Sequence, residues 1–146
     1  TPIIHATNNF RAVFGEQRTK MYEADGKSGK TATLWPQLTT YPNDSILTKQ
    51  GHSAFFPGKC QLHEHLQKRK ITSVLIAGVV TNVCCEASAR DAAELGYEVT
   101  MVSDALAGHA HGLHEASLAT FFRCYGDVRP TSSILELITR PNDSAA

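Results

Sequence analysis

The stretch that most constrains this chain is Ser73-Val74-Leu75-Ile76-Ala77-Gly78-Val79-Val80, with Thr81-Asn82 directly after it. A continuous apolar, β-branched run bounded by polar residues is the pattern of a strand buried on both faces of a parallel sheet. It is far too short to span a bilayer. Thr81 and Asn82 are residue types that cap helices, and the alanine-rich segment from about Val83 to Leu95 has the composition of one. Gly96 then stands where a helix C-cap is expected. A buried strand that turns at once into a helix is the elementary unit of an α/β fold.

The rest of the sequence extends that unit. Pro2 to Thr7 reads as a short strand, and residues 8–33 as a long polar loop. Ser45-Ile46-Leu47-Thr48 leans to strand, with Lys49 at its end. Cys60 to Lys70 turns helical, with Leu62 and Leu66 four apart on one face. A second apolar strand, Tyr97 to Val102, ends at Ser103-Asp104, and a helix follows from about His109 to Phe122. Asp127 to Arg129 makes a short strand, Ser132 to Ile138 a last helix, and residues 139–146 a polar tail. This alternation predicts a single α/β domain over residues 1–138, a three-layer αβα arrangement around a mostly parallel, Rossmann-like sheet. Ligands in such sheets bind beyond the C-terminal ends of the strands, here around Val80-Thr81, Asp104 and Lys49.

Charge and composition narrow the function classes. Fourteen basic residues balance fourteen acidic ones. No basic stripe marks a nucleic-acid or membrane surface, so neither partner is expected. The N-terminus lacks the charged and apolar regions of a secretory signal. The four cysteines, Cys60, Cys84, Cys85 and Cys124, are therefore expected to be reduced thiols of a cytoplasmic protein.

Chemistry is concentrated at Gly78-Val79-Val80-Thr81-Asn82-Val83-Cys84. The turn places Cys84 in the first turn of the helix, where unsatisfied N–H groups carry positive potential. Such a site favours the thiolate, lowering the thiol pKa below about 8.5. The same N–H groups can hold the oxyanion formed when a thiolate attacks a carbonyl. Cysteine is otherwise among the most buried residue types, and Cys85, without that placement, reads as packed.

Lys49 with Ser53-Ala54-Phe55, the run Val74 to Ala92, Gly96-Tyr97-Glu98-Val99 and Val102-Ser103-Asp104-Ala105 together resemble the isochorismatase-like cysteine hydrolase family. The likeness extends from Pro2 to Ile138. It implies that Cys84 is the nucleophile and Lys49 the family lysine, and that the Val79–Val80 peptide is cis. It also makes the N–H groups of Val80 and Cys84 the oxyanion hole. The implied reaction is hydrolysis of a small amide or ureido C–N bond through a thioester on Cys84. No cofactor is implied, and a homo-oligomer, dimer or tetramer, is. Cys85 stands where the family usually has valine.

The family's third catalytic residue is an aspartate at the end of a first strand. These 146 residues hold no such segment, because the opening Thr1-Pro2-Ile3-Ile4-His5-Ala6-Thr7 resembles the family's second strand. Asp25 in the polar loop and Asp44 before the Lys49 strand are poor substitutes. The chain is thus expected to lack that strand and its acid, and to expose an apolar gap in its sheet. Two alternatives accompany the amidase: a vinyl ether hydrolase of the isochorismatase type, and a catalytically dead member that only binds a ligand or partner.

Ala24-Asp25-Gly26-Lys27-Ser28-Gly29-Lys30-Thr31 fits a loose phosphate-binding loop, but the preceding residues are polar and no good helix follows. His111 and His114 have the spacing of metal ligands on a helix, with no cysteine or carboxylate pair to complete a site, so no metal is expected. Phe55, Trp35 and Thr81 are the candidate substrate-binding residues; Phe10 and Phe56 are weaker candidates for the pocket wall.

Overall fold

A computed structural model describes residues 3–8, 34 and 36–139. The long polar loop, the loose phosphate-loop match, Asp25, Phe10, Trp35 and the tail from residue 140 lie outside the described residues. The chain divides into two compact units, Thr1–Ile71 and Thr72–Ala146. Among the described residues all strand pairing is parallel, and strands alternate with helices, so the architecture is α/β.

In the first unit, β1 (Ile4–Asn8) pairs in parallel with β2 (Ser45–Lys49). A turn leads into β2: Asp44 accepts the Tyr41 N–H at 2.9 Å, and its carboxylate lies 3.4 Å from His5 Nε2 on β1. The helix α1 (Leu62–Lys68) buries Leu62 and Leu66, one turn apart, as their spacing predicts. Between β2 and α1 the chain folds on itself, with the Gln50 N–H donating to Lys59 O at 2.7 Å. The tight turn uses Gly58 at φ +72°, a conformation that favours glycine.

The second unit carries a three-stranded sheet in the order β3 (Ser73–Val79), β4 (Glu98–Ala107), β5 (Asp127–Arg129). A wide helical turn, Thr81–Cys85, runs without a break into α2 (Glu86–Glu94). The helix α3 (His111–Cys124) connects β4 to β5, and α4 (Thr131–Thr139) packs back on β4. The helices α2 and α3 connect successive parallel strands and touch each other. Ala89 and Ala92 of α2, Val99 and Met101 of β4, and Leu118 and Phe121 of α3 form the core. Met101 and Phe121 are fully buried, a burial that stabilises by about 1.5–3 kcal/mol per side chain.

Glycines set two junctions. Gly96, at φ +87°, ends α2: its N–H donates to Ala93 O at 3.0 Å, and the Tyr97 N–H donates to Ala92 O at 3.1 Å. This is the paired closure that a left-handed glycine allows. Gly126, between α3 and β5, lies against the Val99 carbonyl and the Phe121 ring, where a Cβ would collide with both.

Three expectations are corrected. The run Ser73–Val79 is not buried on both faces: β3 is an edge of its sheet, Leu75 is 50% and Val79 67% exposed, and only Val74 and Ile76 are partly covered. Among the described residues no strand pairs with its outer edge. The second strand does not end at Ser103-Asp104. It continues to Ala107, because the β3–β4 register shifts between Ile76 and Gly78, so that Gly78 pairs with Leu106. Thr81 is not a helix cap: Val80 holds that position and no side chain caps it.

Candidate active site

The turn after β3 begins with Gly78, at φ +124°, followed by the cis Val79–Val80 peptide that the resemblance implies. The turn is wider than an α-helix: Val80 O accepts from the Val83 N–H at 3.1 Å and from the Cys85 N–H, five residues on, at 3.3 Å. Such wide turns recur at functional sites. Here the extra width brings Cys84 back over the peptide that starts the turn. Its sulfur lies 3.2 Å from the Val80 nitrogen, whose N–H donates to it, and 3.0 Å from Val79 O, to which the thiol donates. Cys84 is half-buried, whereas Cys85 is buried in the same turn, as expected of a packed cysteine. All four cysteines are free thiols.

The elements around the turn hold it by polar contacts. Ser88 Oγ donates to Cys84 O at 2.7 Å, the i to i−4 pattern of a serine within a helix. Glu86 accepts from Ser117 Oγ of α3 at 2.6 Å and pairs with Arg90, whose guanidinium also donates to Tyr125 Oη at 2.9 Å. Arg90 lies over the Tyr125 ring, 4.6 Å from its centroid. The hydrogen bond to the Glu86 carboxylate raises the Arg90 pKa, so the guanidinium stays charged. Thr81 is fully buried, and its Oγ1 lies 2.8 Å from His114 Nδ1 of α3. Its hydroxyl is therefore turned to the protein interior rather than to an open pocket.

Lys49 stands in the first unit, at the end of β2, and is buried. Its ammonium donates to Gly51 O at 3.0 Å and His52 O at 2.7 Å. These two bonds tie the Lys49 side chain to the segment that follows β2. Ser53, Ala54 and Phe55 follow it, all buried, with the Phe55 N–H donating to Ser53 Oγ at 3.0 Å. Phe56, by contrast, is exposed. Burial raises the pKa of Cys60, the cysteine of this unit.

Asp44 and Asp104 are each held in hydrogen bonds that serve the local structure. Asp44 accepts the Tyr41 N–H, and that bond lowers its pKa below the ordinary value, the reverse of what a proton donor near neutrality needs. Asp104, inside β4, accepts from Thr131 Oγ1 at 2.7 Å and the Thr131 N–H at 2.8 Å, which lower its pKa and cap α4. Among the described residues no group of three or more His, Cys, Asp or Glu could hold a metal ion. Nor is any described helix long and apolar enough to cross a membrane.

The brace from His114 to Thr81 had no signal in the sequence, since the two residues are 33 positions apart. The Glu86–Arg90 pair did have one, in its i, i+4 spacing.

Cys84 thus sits in the turn that joins the edge strand β3 of a parallel sheet to the helix α2. The chain belongs to the isochorismatase family: the Isochorismatase domain matches residues 1–133. It is 32% identical over 119 residues to the isochorismatase family protein YwoC of Bacillus subtilis, covering 79% of this chain and 62% of YwoC. It is 41% identical over 75 residues to nicotinamidase 3 of Arabidopsis thaliana, covering 51% of this chain and 37% of that protein. The chain thus spans less than two thirds of the length of these relatives. An isochorismatase-like hydrolase from Alkaliphilus metalliredigens shares the fold, with TM-score 0.76 and 24% identity over 92% of this chain and 71% of that one.

Proposed function

We propose that the protein hydrolyses a small amide or ureido C–N bond, with Cys84 as nucleophile. The observation that carries this reading is the placement of the Cys84 sulfur 3.2 Å from the Val80 nitrogen at the head of a helix. Membership of a family with a nicotinamidase among its relatives supports the amide as the bond attacked.

In the thiol form the sulfur donates to Val79 O and accepts from the Val80 N–H. Ionisation removes the first bond and strengthens the second, because a hydrogen bond to a charged sulfur is stronger than one to a neutral thiol. Carbonyl attack by the thiolate makes the C–S bond and a tetrahedral oxyanion. The N–H groups of Val80 and Cys84 are the assigned donors to that oxyanion. Collapse breaks the C–N bond, and the nitrogen leaves as ammonia or an amine, carrying the proton that Cys84 gave up. Water then adds to the thioester, releasing the carboxylic acid and restoring the thiol. Lys49 is assigned the fixed positive charge that favours the thiolate. Phe55 and Trp35 are assigned to the substrate pocket, while Thr81 supports the turn. The reaction needs no cofactor, and the family resemblance assigns the protein to homo-oligomers.

The test is ammonia release from a panel of small primary amides and ureido acids, with Cys84→Ala as the control. Release by the unsubstituted protein and none by Cys84→Ala is the expected result. Equal release by both overturns the covalent mechanism.

A further inference from the structure

The least expected polar contact in the second unit is the one between Thr81 and His114. Thr81 is the first residue of the turn that carries Cys84, and nothing of it reaches solvent. Its only hydroxyl sits 2.8 Å from His114 Nδ1. The His114 side chain is itself only 16% exposed. The neighbouring charge is Glu115, mostly exposed and 3.9 Å from Nε2, too far for a strong bond. A hydroxyl buried this completely is costly to leave unpaired, so the contact fixes where the turn sits against α3.

We propose that His114 is a positioning residue for Cys84, acting through the Thr81 hydroxyl. The inference rests on Cys84 being the nucleophile. Thr81 adjoins the Val79–Val80 peptide, whose oxygen and nitrogen both face the Cys84 sulfur. Holding Thr81 holds that peptide and, with it, the N–H that favours the thiolate. Without the brace the buried hydroxyl must find another partner, and the turn moves to provide one. His114 touches neither the sulfur nor, in this account, the substrate.

The experiment reads Cys84 reactivity rather than turnover. Peptide mass spectrometry follows iodoacetamide alkylation of Cys84 at neutral pH, with exposed Cys124 as internal reference, in the full chain and in substituted chains. His114→Leu removes the polar atom at the δ position, and His114→Asn restores one there. The expected result is a loss of about tenfold in the Cys84 rate for His114→Leu, recovery to within about threefold for His114→Asn, and an unchanged Cys124 rate. Should His114→Leu fail to fold, Thr81→Val and Thr81→Ser pose the same question, the first losing and the second keeping reactivity. A reactive Cys84 that is indifferent to His114→Leu or to Thr81→Val overturns the brace and leaves the proposed function standing. Equal losses in His114→Leu and His114→Asn overturn it as well. A Cys84 unreactive in the unsubstituted protein overturns both readings.

Discussion

The Val80 N–H points at the sulfur of Cys84 across 3.2 Å, and the two residues are joined by a turn one residue wider than an α-helix requires. An N–H aimed at sulfur is one of the few backbone devices that favour a thiolate without a charged side chain. It also gives Cys84 a chemical setting unlike that of buried Cys60, whose pKa is raised by desolvation, or of exposed Cys124.

Lys49→Met is expected to lower hydrolysis by about a hundredfold or more, measured as ammonia release from whichever amide the unsubstituted protein accepts best. The substitution keeps the length of the side chain and removes the donor to Gly51 O and His52 O. Unchanged turnover would show that the Lys49 charge serves only the loop it closes.

Gly126→Ala places a methyl group against the Val99 carbonyl and the Phe121 ring. Both neighbours are held in the core, so the strain cannot be relieved by a flexible chain end. A loss of about 2 kcal/mol in unfolding free energy is expected, read from urea denaturation. Substitution of Gly112, which has open space around it, is the comparison that should show no such steric cost.

Met101→Ala leaves a cavity at a fully buried position in the middle of β4. The expected cost is about 3 kcal/mol, again from urea denaturation. A loss below about 1 kcal/mol would mean that the sheet closes over the gap.

Asp104 links stability to pH. Its hydrogen bonds from Thr131 lower its folded pKa below the ordinary value of 3.8. Its contribution is therefore complete above that value and is lost as pH falls through the lower, folded one. Asp104→Ala should be less stable than the unsubstituted protein near neutral pH, and the gap in denaturation midpoint should close in strong acid. A gap independent of pH would place the effect in packing rather than in the carboxylate.

Much of the fold was legible because local pattern and tertiary role agree. The apolar run ending at Val79 became β3, Gly96 closed α2, and Asp127–Arg129 became β5. The position of Cys84 in the turn after β3 was legible for the same reason, since a strand, a sharp turn and a cysteine follow one another directly. What failed depended on partners distant in sequence. Periodicity describes composition and not which strand lies at an edge, so the exposure of Leu75 and Val79 was missed. Ser103-Asp104 looked like a strand end, yet a register shift carries β4 through them. Asp104 looked like a residue of the edge where ligands bind, but it lies inside β4 and its oxygen is occupied by Thr131, 27 residues away. Thr81 looked like a cap, and His114 had the spacing of a metal ligand without the company to make it one; each instead meets the other.

The most direct test of the central claim is the pH dependence of Cys84 alkylation by iodoacetamide, followed by peptide mass spectrometry with Cys60 and Cys124 as references. The account predicts that Cys84 reacts as a thiolate well below the ordinary thiol pKa of about 8.5, while Cys60, whose pKa is raised by burial, titrates above it. A Cys84 that titrates alongside Cys124 would contradict its assignment as the nucleophile.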